Sequence, residues 1–320
     1  MLHTLYRLLG GAALAAAAAA AGAQQAPIRW IVPYPAGGGT DTIARTIADE
    51  MRKQLGQTII VENKAGAGTL IGTQALLSLP PDGHAVMSAD GGTLAYNSSL
   101  YPKLPYDPER SFTYLGGMVS MPMILVARSK LPVDSFQALL QDAIKHPGKY
   151  TYASAGTGSP QHLAMEMLQQ KTGARLTHVP YRGVAPAMQD VVGNQVDLLM
   201  IGLPGGLAQI RAGNVKPLGA ATRQRLPELP GLPTLQEAGA AGFVADSWQG
   251  LVAPAGMPDE SARRLEQALE RALAVPAVRD KLLAMGAIPT PMKGDDFRRH
   301  AADQRRLWTQ VINAAGIRME

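Results

Sequence analysis

Three consecutive glycines, Gly37, Gly38 and Gly39, stand between the apolar run IRWIVPY (28–34) and Thr40-Asp41. A second glycine-rich stretch, GTGSP (156–160), follows YTYASA (150–155). Glycine reaches φ > 0 and permits close approach of a ligand, so successive backbone N–H groups can converge on one bound atom. A helix opening directly after such a loop has four N–H groups without internal acceptors and roughly half a positive charge at its start. The chemistry this supports is capture of a small anion, a carboxylate above all, by backbone donors. Taken singly, a strand–glycine–helix turn is equally well explained by close packing of helix on sheet; two at matching places favour a ligand. Thr40, Asp41 and Ser159 also have a plain reading as helix N-caps, with Pro160 suited to a first helical position.

Competing chemistries fail on spacing. A phosphate-binding P-loop needs a lysine that neither loop has. GAGTLIG (66–72) has three residues where the dinucleotide fingerprint has two, and no Gly-x-Ser-x-Gly elbow occurs. Ser159 and His162 read as a cap and a half-buried side chain, because no third orienting acid accompanies them. The histidines at 3, 84, 146, 162, 178 and 300 are scattered and cysteine is absent, so no metal, cofactor, disulfide or thiol nucleophile is expected.

The elements that position these loops form two α/β units. IRWIVPY, TIIVEN (58–63) and HAVMSAD (84–90) read as buried strands, separated by a helix with Ile43, Ile47, Met51 and Leu55 every four residues and by GTLIGTQALLSL, which Pro80 and Pro81 stop. A second set opens after Asp134, an expected N-cap for SFQALLQDAIKHPG. It continues with YTYASA, LTHVPY, VDLLMIGL and VKPLGAAT as strands and with helices at about 160–172, 184–193 and 204–212. From Pro258 onward the chain is helical except for AIPTPM, a short strand. A tail of that length is most simply placed by returning it to the first unit, with two crossings near MVSMPMILVAR and FVADSWQGLVAP acting as a hinge.

The leader MLHTLYRLLGGAALAAAAAAAGA reads as a secretory signal over residues 1–23, with one cation at Arg7 and small residues at Ala21 and Ala23. The 297 residues after it hold 29 Lys and Arg against 25 Asp and Glu, a net of +4. That surplus lies mostly in RRLEQALER and FRRHAADQRRLW, interleaved with acids and without a stacking platform, which argues against nucleic acid.

PYPAGGGTDTIAR, VENKAGAGTLIG, LPYDPERSFTYLG, YASAGTGSPQHLAMEML, THVPYRGVAPAMQDVVGNQVDLLM and WQGLVAPAGMP, in this order from about residue 28 onward, resemble the Bug (Bordetella uptake gene) family of extracytoplasmic solute receptors of tripartite tricarboxylate transporters. The resemblance implies a type II periplasmic-binding-protein fold, α/β, with a hinge between two lobes: residues 24–121 plus 248–320, and 122–247. It implies a periplasmic, monomeric, non-enzymatic receptor that captures a di- or tricarboxylate, an aromatic acid or an acidic amino acid and docks on membrane components of the transporter. Carried over by position, the first loop supplies Tyr34, Gly38, Gly39, Thr40 and Asp41. The second supplies Ser154, Gly156, Thr157, Gly158, Ser159 and His162, and VPYRG adds Pro180, Tyr181 and Arg182. Many relatives carry Phe at 34 and Lys at 182. Tyr34 adds a phenol donor, and Arg182 is placed either to grip a second carboxylate or to brace the hinge. Ala67, Ala89, Asp90, Leu203 and Asp246 are candidates for contact with the rest of the solute. Two rivals stand beside this reading: a receptor that feeds a sensor, and a secreted enzyme with His162 or Asp41 as base.

Overall fold

The computed structural model describes residues 26–319, so the expected leader lies outside the described residues. The first unit is a parallel triad in which β1 (Ile28–Val32) is flanked by β2 (Ile59–Asn63) and β3 (Ala85–Asp90). Its middle strand, IRWIV, is apolar except at Arg29, which pairs with Glu62 on β2, because both faces are covered. Trp30 is fully buried there, and its indole N–H donates to Ser88 Oγ on β3 at 2.8 Å. The triple glycine leads into α1 (Gly39–Leu55), whose every-fourth-residue stripe, Ile43, Ile47 and Met51, is buried. α1 stops at Gly56 in the left-handed region (φ 62°), a C-cap that glycine adopts without steric cost. A single 3₁₀ turn (Ala67–Thr69) and α2 (Leu70–Leu77) complete the crossover from β2 to β3. After β3 the chain makes a wide π turn (Gly92–Tyr96) that runs into the short α3 (Asn97–Leu100).

β4 (Phe112–Arg128) is one strand of 17 residues. Its first part pairs antiparallel with β9 (Asp246–Pro254), from Phe112↔Pro254 to Pro122↔Asp246; its second part pairs antiparallel with β7 (Leu198–Gly202) and β8 (Val215–Ala220). The segment expected as a hinge crossing is therefore a continuous strand shared by both units.

The second unit opens with α4 (Phe136–Lys145). Its N-cap is Ser135, whose Oγ accepts from Ala138 N–H at 3.1 Å. This corrects the expectation of Asp134, a fully exposed side chain that pairs instead with Lys216 at 3.5 Å. β5 (Thr151–Ser154) is the middle of a second parallel triad, between β6 (Thr177–Pro180) and β7. α5 (Pro160–Thr172), α6 (Val184–Val192) and α7 (Leu203–Arg211) cover it. The path across the strands is β2-β1-β3-β9-β4-β7-β5-β6, so β1 and β5 hold matching positions at its two ends.

The tail returns as α8 (Asp259–Ala274), α9 (Pro276–Ala284), β10 (Ile288–Lys293), paired antiparallel with the first part of β4, and α10 (Gly294–Ala315). α10 packs on both units. Trp308 meets Tyr96 edge-on with ring centroids 5.3 Å apart, and Gln170 Nε2 on α5 donates to Val311 O at 3.0 Å. Accordingly one apolar cluster, which includes Trp308, Tyr96 and Leu163, runs continuously through both units. Two others are confined to one unit each.

Candidate functional site

A cleft of about 900 Å³ is lined from both triads. Tyr34, Gly38, Gly39, Thr40, Thr157, Gly158, Ser159 and Arg182 line it, as do Asp90, Thr69, Tyr96, Asn97 and Gln249. Asp41, Ala89, Ser154, Gly156, His162, Pro180 and Tyr181 are not part of that lining.

In the first loop the helix begins at Gly39 with Gly38 at the N-cap position and no side-chain cap, so neither Thr40 nor Asp41 is the N-cap. Asp41 sits in the first turn, buried, and braces the loop from behind. Its Oδ2 accepts from Gly37 N–H at 2.8 Å and from Arg45 Nε at 3.0 Å, and its Oδ1 accepts from Asn63 Nδ2 at 2.9 Å. Burial pushes the Asp41 carboxyl up, but Arg45, the Gly37 amide and Asn63 together hold it below the usual carboxylate range. Gly37 has φ 78°, a conformation that suits glycine. The amides of Gly39, Thr40 and Asp41, at the first three helical positions, have no acceptor within the helix.

The second loop treats its amides differently. Gly156 N–H donates to Ser154 Oγ at 3.1 Å, Gly158 N–H to His162 Nδ1 at 3.0 Å, Ser159 N–H to Gly156 O at 3.1 Å, and His162 N–H to Ser159 Oγ at 3.3 Å. Pro160 has no N–H. Ser159 is thus the N-cap, as its position before Pro160 implies. His162 is buried under the loop rather than half-buried. Its ring stacks on His178 at 4.0 Å and 7°, and His178 Nε2 lies 2.6 Å from Ser154 Oγ. Tyr152 stacks on His178 at 4.9 Å and donates its hydroxyl to Glu166 Oε1 at 2.5 Å. Burial pushes both imidazoles down to about 4, so both are neutral at neutral pH. Gly158 (φ 74°) faces Leu100 of the first unit, where a Cβ would meet Leu Cδ1 at 3.0 Å. Tyr181 donates to Asp190 at 2.5 Å, and its phenol is pushed up to about 12 by burial and by that carboxylate. Arg182 is exposed on the cleft rim.

The polar wall between the loops belongs to β3 and β9. Tyr34 donates its hydroxyl to Asp90 Oδ2, and Thr93 N–H donates to Asp90 Oδ1 at 3.1 Å. Burial pushes Asp90 above the usual carboxylate range, against the hydrogen bonds from Tyr34, Thr93 and Gly92; burial and the neighbouring Asp90 push Tyr34 well above the ordinary phenol value. Gln249 Nε2 donates to Thr40 Oγ1 at 2.9 Å. Of the further candidates, Ala89 and Leu203 are fully buried, and Asp246 accepts from Ser120 Oγ at 2.7 Å between β9 and β4. Gln249, Thr69, Tyr96 and Asn97 escape a reading of the sequence; the only signal for this wall was an acid at the end of the third strand, before Gly91-Gly92. No group of three or more metal-ligating side chains occurs among the described residues, and none of their helices is long and apolar enough to cross a membrane.

Comparison with known proteins places the geometry among solute receptors. A sequence profile described as "Tripartite tricarboxylate transporter family receptor" matches residues 43–317. The solved structure of R. palustris Rpa4515 with adipate is 31% identical, covers 92% of this chain and 99% of its own, and superposes with a TM-score of 0.83. That of the periplasmic binding protein BugD is 34% identical, covers 92% and 99%, and gives 0.80. MatC from Rhodopseudomonas palustris with bound malate is 33% identical, covers 90% and 99%, and gives 0.79. With these neighbours the α/β fold is the two-lobed one of periplasmic binding proteins.

Proposed function

Because this chain belongs to the tripartite tricarboxylate transporter receptor family, we propose that its cleft captures a small carboxylated solute in the periplasm and presents it to membrane components of the transporter. The lobes are residues 24–121 plus 248–320 and residues 122–247, and β4 and β9 connect them. The observation that carries the reading is the first loop. The amides of Gly39 and Thr40 open α1 at the cleft surface, and the one acid of that turn, Asp41, is turned behind the loop by Gly37, Arg45 and Asn63. An anion therefore meets N–H dipoles and no facing charge from Asp41. Thr157 and Ser159 contribute hydroxyls from the opposite lobe, and Arg182 on the rim meets a second carboxylate. Adipate in Rpa4515 and malate in MatC are carboxylates of this class.

Binding of this kind moves no proton, and the two bases of the rival enzyme reading, Asp41 and His162, are engaged away from the cleft lining. Asp41 is held ionised behind the loop, and His162 Nδ1 is occupied by the Gly158 amide. The test is a panel of di- and tricarboxylates, aromatic acids and acidic amino acids, followed by melting temperature and by ligand mass. A true ligand at 100 times Kd adds about 2.7 kcal/mol of stability, a rise of roughly 5–10 °C, and leaves the ligand mass unchanged. Conversion of the ligand establishes an enzyme instead. A liganded crystal with the solute remote from residues 36–41 and 154–159 overturns the site. Deletion of the partner transporter genes separates uptake from sensing: a transport receptor loses solute uptake, a sensor does not.

A further inference from the structure

Resting on the reading of the cleft as a carboxylate receptor, we propose that Asp90 selects solutes carrying a hydrogen-bond donor, a hydroxyl or an ammonium, beside the carboxylate held by the first glycine loop.

The placement of Asp90 follows from sheet register. Asp90 ends β3 directly opposite Gln249 on β9, and directly opposed side chains in an antiparallel pair stand about 4.5–5.5 Å apart at Cβ. Gln249 holds Thr40 Oγ1 at one end of the loop, and Tyr34 at the other end donates to Asp90. Both ends of residues 34–40 are thus tied to the Asp90–Gln249 pair. An anion seated on the Gly39 and Thr40 amides has this pair as its neighbouring wall.

That wall is rich in acceptors. Asp90 is 6% exposed, lines the cleft, and forms no ion pair among the described residues. Its oxygens face neutral partners only, Oδ2 the Tyr34 hydroxyl and Oδ1 the Thr93 amide, so no cation compensates the carboxylate. The Gly92 amide adds one more neutral donor, and none of these groups carries a compensating positive charge. Gln249 Oε1 is a second buried acceptor without a partner. A solute that brings only carboxylates sets an anion against an unpaired buried anion, which a low-dielectric site penalises. A solute with an adjacent O–H or N–H supplies the donor the wall lacks.

The test is titration calorimetry with matched diacids: succinate, malate and aspartate, then adipate and 2-aminoadipate. We expect malate or aspartate to bind at least about tenfold more tightly than succinate, equivalent to about 1.4 kcal/mol, and 2-aminoadipate to exceed adipate if ammonium is the donor recognised. Asp90→Asn is expected to abolish the preference while leaving succinate binding equal or stronger. The ranking on the unaltered protein stands even if that variant fails to fold. Equal affinity across a matched set overturns this proposal alone, as does tight succinate binding with proton uptake, measured in two buffers of different ionisation enthalpy. Failure of every diacid to bind overturns both the proposal and the diacid reading of the cleft.

Discussion

The two glycine loops occupy equivalent places, each between the middle strand of a parallel triad and the helix that covers it, yet they dispose of their amides in opposite ways. In the first loop an acid behind the turn takes one glycine amide, and the amides that open α1 remain available. In the second loop Ser154, His162, Gly156 O and Ser159 take up amides from inside, and Pro160 deletes another. On the proposed reading, the same motif builds a backbone grip on one side of the cleft. On the other it builds an internally bonded clasp, to which the proposal assigns side-chain hydroxyls and shape.

The sharpest way to break this asymmetry is to give the first loop the second loop's proline. Gly39→Pro removes one open amide at a position where proline is compatible with a helix start. Gly38 before it is already extended (φ −75°, ψ 169°), as a residue preceding proline requires, and a Cβ at 39 meets nothing within 4 Å. A charge-assisted hydrogen bond contributes about 1.5–3 kcal/mol. Affinity for the carboxylated solute should accordingly fall by roughly 10- to 100-fold in calorimetry, with little change in the melting temperature of the free protein. Unchanged affinity would place the grip elsewhere.

The clasp is tested from behind by His162→Ala, which leaves Gly158 N–H without its buried acceptor and opens space beside His178. A loss of about 2 kcal/mol of unfolding free energy is expected in urea melts of the free protein, with a smaller effect on ligand affinity than on stability. If affinity falls by more than stability does, His162 is a ligand-contacting residue, as its position in the motif first implied.

Acid should loosen the two loops in sequence. His162 and His178 have folded values of about 4 against an ordinary 6.5. Their neutral forms stabilise the clasp fully above 6.5, and that stability is lost as pH falls toward 4, by about 1–2 kcal/mol after allowing for the partial exposure of His178. Asp41 is held below its ordinary 3.8, so its bracing persists until the pH falls below that value. Asp90, shifted upward, and His300, shifted down by burial, also titrate. The measurement must therefore be local. Amide NMR shifts of Gly156 and Gly158 should move between pH 6.5 and 4 while those of Gly37 and Gly39 stay fixed; simultaneous movement would show one coupled loop system.

Much of this was legible in the sequence because punctuation marks it. Ser159-Pro160 and Gly173 bound α5, and Gly56 ends α1. What stayed hidden depends on pairing between distant segments. β4 gives no alternation because it is buried on both faces along most of its length, and the crossing expected near MVSMPMILVAR lies inside this one continuous strand. The N-cap of α4 could fall on either of two competent neighbours, and Ser135 takes it. The His162–His178 stack exists only because β5 pairs parallel with β6 in the register that sets Tyr152 beside His178. The Asp90–Gln249 wall likewise depends on β3–β9 register. No single-sequence pattern carries either.

The smallest effect sharpens the comparison most. Pro160→Ala restores an N–H at the first position of α5 and makes the second loop's helix start formally like the first. If open amides were interchangeable across the cleft, the solute should gain several-fold in affinity, and the double variant with Gly39→Pro should recover much of what Gly39→Pro loses. The clasp predicts otherwise. Its neighbouring amides at Gly158 and His162 are already engaged, and their acceptors, His162 Nδ1 and Ser159 Oγ, fix the turn in place. Affinity should change by less than about twofold, while stability falls by about 0.4–1 kcal/mol, because the unfolded chain regains the freedom that proline denied it. A Gly39→Pro, Pro160→Ala protein that binds no better than Gly39→Pro alone would show that what distinguishes the first loop is which amides its bracing acid leaves open, rather than how many N–H groups face the cleft.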